Sequence, residues 1–127
     1  MAEFLFSLHS GVRYLVLATG LVTVLLGLQS AGRPAPRGTT AAWRAFLGLL
    51  DLQVVAGVLV LATRPFQGQY IGHFTMMIVA AVVAHGIGAT FRRRPAERRS
   101  GGLLAVGALV ALALIVAGIL AIGRAIV

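Results

Sequence analysis

Six polar side chains interrupt otherwise apolar stretches of this 127-residue sequence: His9 and Arg13 in the first, Asp51 and Gln53 in the second, His73 and His85 in the third. If these stretches cross a membrane, each ionisable group costs roughly 2.5–3.5 kcal/mol at mid-helix, which makes it a functional hypothesis by default. With stretch midpoints near Val16, Gln53 and Ala80, His9 and His73 each lie about 7 residues, roughly 10 Å, towards the same side. Asp51 and His85 fall on the opposite side, at roughly 3 Å and 7–8 Å from the midplane by the same rise. Two imidazoles at one depth on different helices are what a bis-histidine haem b requires, with one axial nitrogen from each face. Arg13, one turn from His9 on the same face, suits a propionate partner. Asp51 can hydrogen-bond His85, either to pass a proton to or from a quinone or as a polar clasp. The alternatives are an interfacial His9 bonded to a carbonyl, an interfacial His73, a buried hydrogen-bonded His85, and for Arg13 an outward snorkel. Met76 and Met77 read as packing residues and Gln53 as a hydrogen bond to a neighbouring helix.

The elements that must position these groups follow from composition. The chain is 59% hydrophobic and 11% charged, about half the usual charged share of a soluble domain, and its mean hydropathy is +0.97. Apolar stretches at about residues 4–28, 43–63, 70–91 and 103–122 each approach the roughly 20 residues that cross a bilayer core. Spanning backbone must satisfy its own polar groups, so these stretches are expected to be helices. The expectation is one all-α transmembrane domain over residues 1–127, an up-down-up-down four-helix bundle joined by short connections. The first stretch lacks a basic start and a cleavage site, so it reads as a retained anchor.

Turn chemistry marks the breaks. Residues 29–42 hold two Pro and two Gly, with Thr39 and Thr40 placed to cap the second helix. Arg64-Pro65 closes that helix, because Pro disfavours helix in the residue before it. Ser100 is placed to cap the fourth. Trp43 and Tyr70 read as interfacial belt residues. The fourth stretch carries no ionisable residue between Leu103 and Gly123 and reads as a packing helix. Its glycines, like those of the other three stretches, let helices approach closely or make room for a flat cofactor.

All eleven basic residues are Arg, against Glu3, Asp51 and Glu97, giving a net charge of +8. They sit between apolar blocks rather than on a soluble basic face, which excludes nucleic-acid binding. Arg33, Arg37 and Arg44 flank the first break, and Arg92, Arg93, Arg94, Arg98 and Arg99 fill the third. The second has only Arg64, and the tail only Arg124. By the positive-inside rule the first and third connections face the cytoplasm and both termini face out. The Arg run also suits lipid phosphate or partner docking. The absence of Cys excludes disulfides, iron–sulfur clusters, thiolate zinc sites and covalently attached haem.

The runs His9-Ser10-Gly11-Val12-Arg13-Tyr14, Asp51-Leu52-Gln53 and His73-Phe74-Thr75-Met76-Met77 with His85-Gly86 resemble those of small bacterial four-helix membrane proteins described as cytochrome b-like. The resemblance covers the first three stretches, and the fourth matches only in character. It implies haem ligation by His9 and His73, with Arg13 near a propionate. Asp51 stands where the family pattern has His, so a second haem at His85 lacks an imidazole partner. The twelve-residue spacing of His73 and His85 also turns them about 120° apart on a helix.

The resulting expectation is a multi-pass protein of the bacterial inner membrane that binds one non-covalent haem b. It would transfer electrons alongside a quinol or a larger respiratory or photosynthetic complex. Cofactor binding would fall to His9, His73, Arg13 and His85, with His9 and His73 on the metal. Two alternatives stand beside it. One is a cofactor-free accessory subunit of a larger membrane complex. The other is a small proton or ion conduit using Asp51, His85 and Arg13.

Overall fold

In a computed structural model, residues 1–123 are described, so Arg124 lies outside the described residues. The fold is all-helical. Helix α1 spans Ala2–Gln29, α2 Arg37–Thr63, α3 Tyr70–Arg93 and α4 Gly101–Ala121, with a 3₁₀ turn at Ala96–Arg98 before α4. All four are long and apolar enough to cross a membrane. The shortest has 21 residues, about 31 Å at 1.5 Å per residue. The outward surface suits lipid: Leu15, Leu21, Val55, Val82 and Leu109 are each more than half exposed.

Glycine contacts give the register. Gly20 of α1 faces Phe46 of α2 and Leu112 of α4, and Gly27 faces Gly101 and Ala105. Gly107 and Gly118 of α4 face Ile87 and Met77 of α3 respectively. Rising numbers on α1 and on α3 meet falling numbers on α4, so both run antiparallel to α4. Helix α1 packs closely on α2 and α4, and α3 on α4. The α2–α3 seam is the loosest of the four sides.

One end of the bundle is solid. Trp43, Phe46, Leu50, Ala84, Leu104, Ala108 and Ala111 are buried there, all but Trp43 with no measurable exposure. The two arginine-rich connections are stitched together at this end. Ala35 N–H donates to the Arg99 carbonyl at 2.8 Å, and Gly101 N–H to that of Arg33 at 3.3 Å. Ser100 caps α4 as the sequence indicates, accepting from Gly102 N–H at 3.1 Å. It also accepts from Gly32 N–H at 3.1 Å, tying the first connection to the third.

Three expectations need correction. Helix α2 starts at Arg37, six residues before the apolar stretch, with Pro36 at its N-cap and no side-chain cap. Thr39 and Thr40 therefore lie inside the helix, and the Thr40 hydroxyl donates to the Arg37 carbonyl at 3.0 Å. Trp43 is not a belt residue. Nearly two turns into α2, it is only 4% exposed and packs on Phe46 with ring centroids 5.8 Å apart.

Candidate functional site

At the other end, where α1 begins, the bundle opens. A cleft there is lined by His9 and Arg13 of α1, Gln53 and Gly57 of α2, His73 of α3, and residues from α4. Its remaining walls are mostly apolar, including Val16, Leu50, Phe74, Ile115 and Ile119. Concave, apolar-walled sites with a few convergent polar groups are the usual form of a cofactor pocket.

The two histidines the sequence pairs meet here. Their ring centroids are 6.3 Å apart and their planes are nearly perpendicular, at 87°. Two imidazoles this close could each offer a ring nitrogen to one metal ion.

Backbone carbonyls orient both rings. The His73 Nδ1 lies 2.9 Å from the Gly118 carbonyl oxygen. A carbonyl only accepts, so the neutral ring carries its proton on Nδ1 and its lone pair on Nε2. Gly118 is in the last turn of α4, whose carbonyls lack a helical partner. The next available amide, Ile122 N–H, donates instead to Ile119. The packing helix thus supplies the acceptor that sets the His73 tautomer.

His9 is held the same way. Its Nδ1 lies 3.2 Å from the Gln53 carbonyl oxygen, so that ring too carries its proton on Nδ1. The mid-helix carbonyl of Gln53 is reachable because Gly57, four residues on, has no side chain to cover it. A Cβ at Gly57 would lie 3.1 Å from His9 Cε1. The Gln53 amide returns the contact, donating to the His9 carbonyl at 2.9 Å. This second bond fixes α1 against α2 at the depth of the ring. A neutral imidazole bonded through one nitrogen to a carbonyl is the usual arrangement of a metal-binding histidine.

Three buried polar atoms on the cleft-lining residues have no partner among the described residues: Gln53 Oε1, Arg13 Nε and Arg64 Nε. Gln53 as a whole is only 6% exposed. Buried polar groups are normally paired, so each such atom calls for a ligand, a water or an ion. Arg13 lies where the sequence puts it, with Nη2 donating to the Tyr14 hydroxyl at 2.8 Å. Arg64, which the sequence reading treats only as a loop charge, turns back into the cleft. Its guanidinium covers the Phe6 ring at 4.2 Å and pairs with the exposed Glu3 at 3.2 Å. A sequence signal for it is faint: a lone Arg at a helix end beside Pro reads as topology.

His85 lies elsewhere. Its Nε2 is 2.7 Å from Asp51 Oδ1 across the α2–α3 seam, and it does not line the cleft. The pairing with Asp51 is the one the sequence suggests. The pair is not buried, since both side chains are about half exposed. Twelve residues, about 18 Å of helix, separate His85 from His73, and the 120° turn aims it at α2. Among the described residues, no three His, Asp or Glu side chains converge as a bare-metal site needs. A metal between His9 and His73 would take its remaining ligands from outside the chain, as iron in a porphyrin does. Compared with known proteins, the chain matches no family model, no curated protein and no solved structure.

Proposed function

We propose that the protein is a membrane-embedded haem b protein of electron transfer, with His9 and His73 as the residues that would hold the iron. The observation that carries this reading is the pair of Nδ1-anchored imidazoles 6.3 Å apart in an apolar-walled cleft. The unpartnered Arg13 and Arg64 nitrogens support guanidinium partners for the two propionates. The resemblance of the His9–Tyr14 and His73–Met77 runs to cytochrome b-like proteins points the same way. When bound, haem supplies a reversible one-electron couple. The chain's part is to bring the His73 Nε2 and the His9 Nε2, the latter 3.5 Å from the Gln53 side-chain amide, to the cleft, to exclude water with aliphatic walls and to offset the propionate charge.

The arginine distribution supports placing both termini outside and the arginine-rich connections in the cytoplasm of a bacterial inner membrane. The half-exposed Asp51–His85 pair supports exchange with a bilayer-borne partner, a quinol or a larger redox complex, since ionisable groups at membrane depth rarely face bare lipid. That same pair favours the second reading, a cofactor-free accessory subunit covered there by another membrane protein.

One experiment separates the two. The full chain, purified in mild detergent from haem-replete cells, is expected to show a Soret band that His9→Ala and His73→Ala each abolish. A wild-type protein without the band, or both variants retaining it, would overturn the haem assignment.

A further inference from the structure

At the solid end of the bundle, the α2–α3 seam contains a second recess, lined by Thr40, Trp43, Arg44 and Leu47 of α2 and by Gly88 and Arg92 of α3, among others. It is smaller than the histidine cleft.

The Trp43 indole N–H and the Arg44 and Arg92 guanidiniums supply hydrogen-bond donors to it. Trp43 is buried as a residue, at 4% exposure, while its indole N–H, without a hydrogen-bond partner among the described residues, stays accessible at the recess. A Cβ built on Gly88 would lie 3.4 Å from both Trp43 Nε1 and Arg92 Nη1. The indole N–H and one guanidinium therefore converge on a gap that the glycine leaves open. Arg44 lines the same recess. Neither Arg44 nor Arg92 has an acidic partner among the described residues, where the ion pairs are Arg64–Glu3 and His85–Asp51. The neighbouring sequence adds Arg37, Arg93, Arg94, Arg98 and Arg99, with Glu97 as the one acid in the connections.

We infer that this recess binds the phosphate of an anionic phospholipid headgroup. The Trp43 N–H and the Arg44 and Arg92 guanidiniums are the donors. Basic pockets between membrane helices recognise such headgroups through charge-assisted hydrogen bonds. The site is independent of the haem reading, because it shares no residue with the histidine cleft.

Trp43 is the sole tryptophan, so its fluorescence reports on this recess alone. The full chain in neutral-detergent micelles, in one fixed haem state, is titrated with phosphatidylglycerol, with phosphatidylcholine and with inorganic phosphate at constant ionic strength. A saturable change in emission is expected with phosphatidylglycerol, at half-saturation about tenfold below that for phosphatidylcholine. Arg44→Gln with Arg92→Gln removes this preference, while Arg44→Lys with Arg92→Lys retains part of it and shows that the fold survives. Trp43→Phe, read by lipid retention in native mass spectrometry, weakens phosphatidylglycerol binding while leaving the arginines in place. Equal responses to both lipids, or an undiminished preference in the double Gln variant, would overturn the inference. Inorganic phosphate competing at concentrations equal to the lipid's would overturn the lipid assignment in favour of a free-phosphate site.

Discussion

Gly57 and the Gly118 carbonyl matter as much to the two imidazoles as the histidines' own positions. The first uncovers the Gln53 carbonyl for His9, and the second lies in an unpaired last turn where His73 reaches it. Gly57→Leu should therefore displace the His9 ring and remove most of the Soret absorbance. Gly48→Leu, where a Cβ meets nothing within 4 Å, should leave it unchanged; equal spectra for the two variants would contradict this account of the site. Asp51→Asn and His85→Ala should also leave the band in place, because that pair sits on the seam and not in the cleft. The His9–His73 pairing and the Asp51–His85 contact were legible in the sequence, since ionisable side chains in apolar runs announce themselves. Gly57, the Gly118 carbonyl and the inward turn of Arg64 were not. A backbone acceptor has no residue type, and one more glycine among 16 carries no distinguishing mark.

At the scale of elements, apolar run length located all four helices but misplaced the start of α2. Hydropathy marks where a helix meets hydrocarbon, whereas Pro36, with its extended backbone, marks where this helix begins. The six-residue difference explains the misreading of Trp43: a residue placed at a span's edge looks interfacial, yet it lies well inside the helix, against Gly88 and Gly107. The α4 cap was legible because Ser before two glycines is a local signal. Its second role, the bond to Gly32, is a tertiary contact that local pattern does not encode. Ser100→Ala removes both bonds and should cost about 1–2 kcal/mol, the upper part of the range for losing an N-cap. Denaturation of the detergent-solubilised protein measures this, and an unchanged midpoint would show that the connections are held by their backbone bonds alone.

The whole molecule divides its labour by depth. A close-packed aromatic and aliphatic block fills the arginine end, and the histidine end is left open around His9 and His73. Four spans and an even number of crossings were legible from composition. The uneven filling of the bundle was not, because it depends on which faces meet. Orientation is testable directly, since the chain has no cysteine of its own. An impermeant maleimide should label Gln67→Cys in spheroplasts and Gly38→Cys only after the membrane is opened, and the reverse pattern would invert the proposed topology.

The most direct measurement is low-temperature electron paramagnetic resonance of the oxidised, purified protein. Two axial imidazoles with planes 87° apart predict a six-coordinate low-spin signal of the strongly anisotropic kind, lost in His9→Ala and in His73→Ala. A high-spin signal, or no haem signal at all, from the wild-type protein would contradict the assignment of these two histidines as a ligand pair.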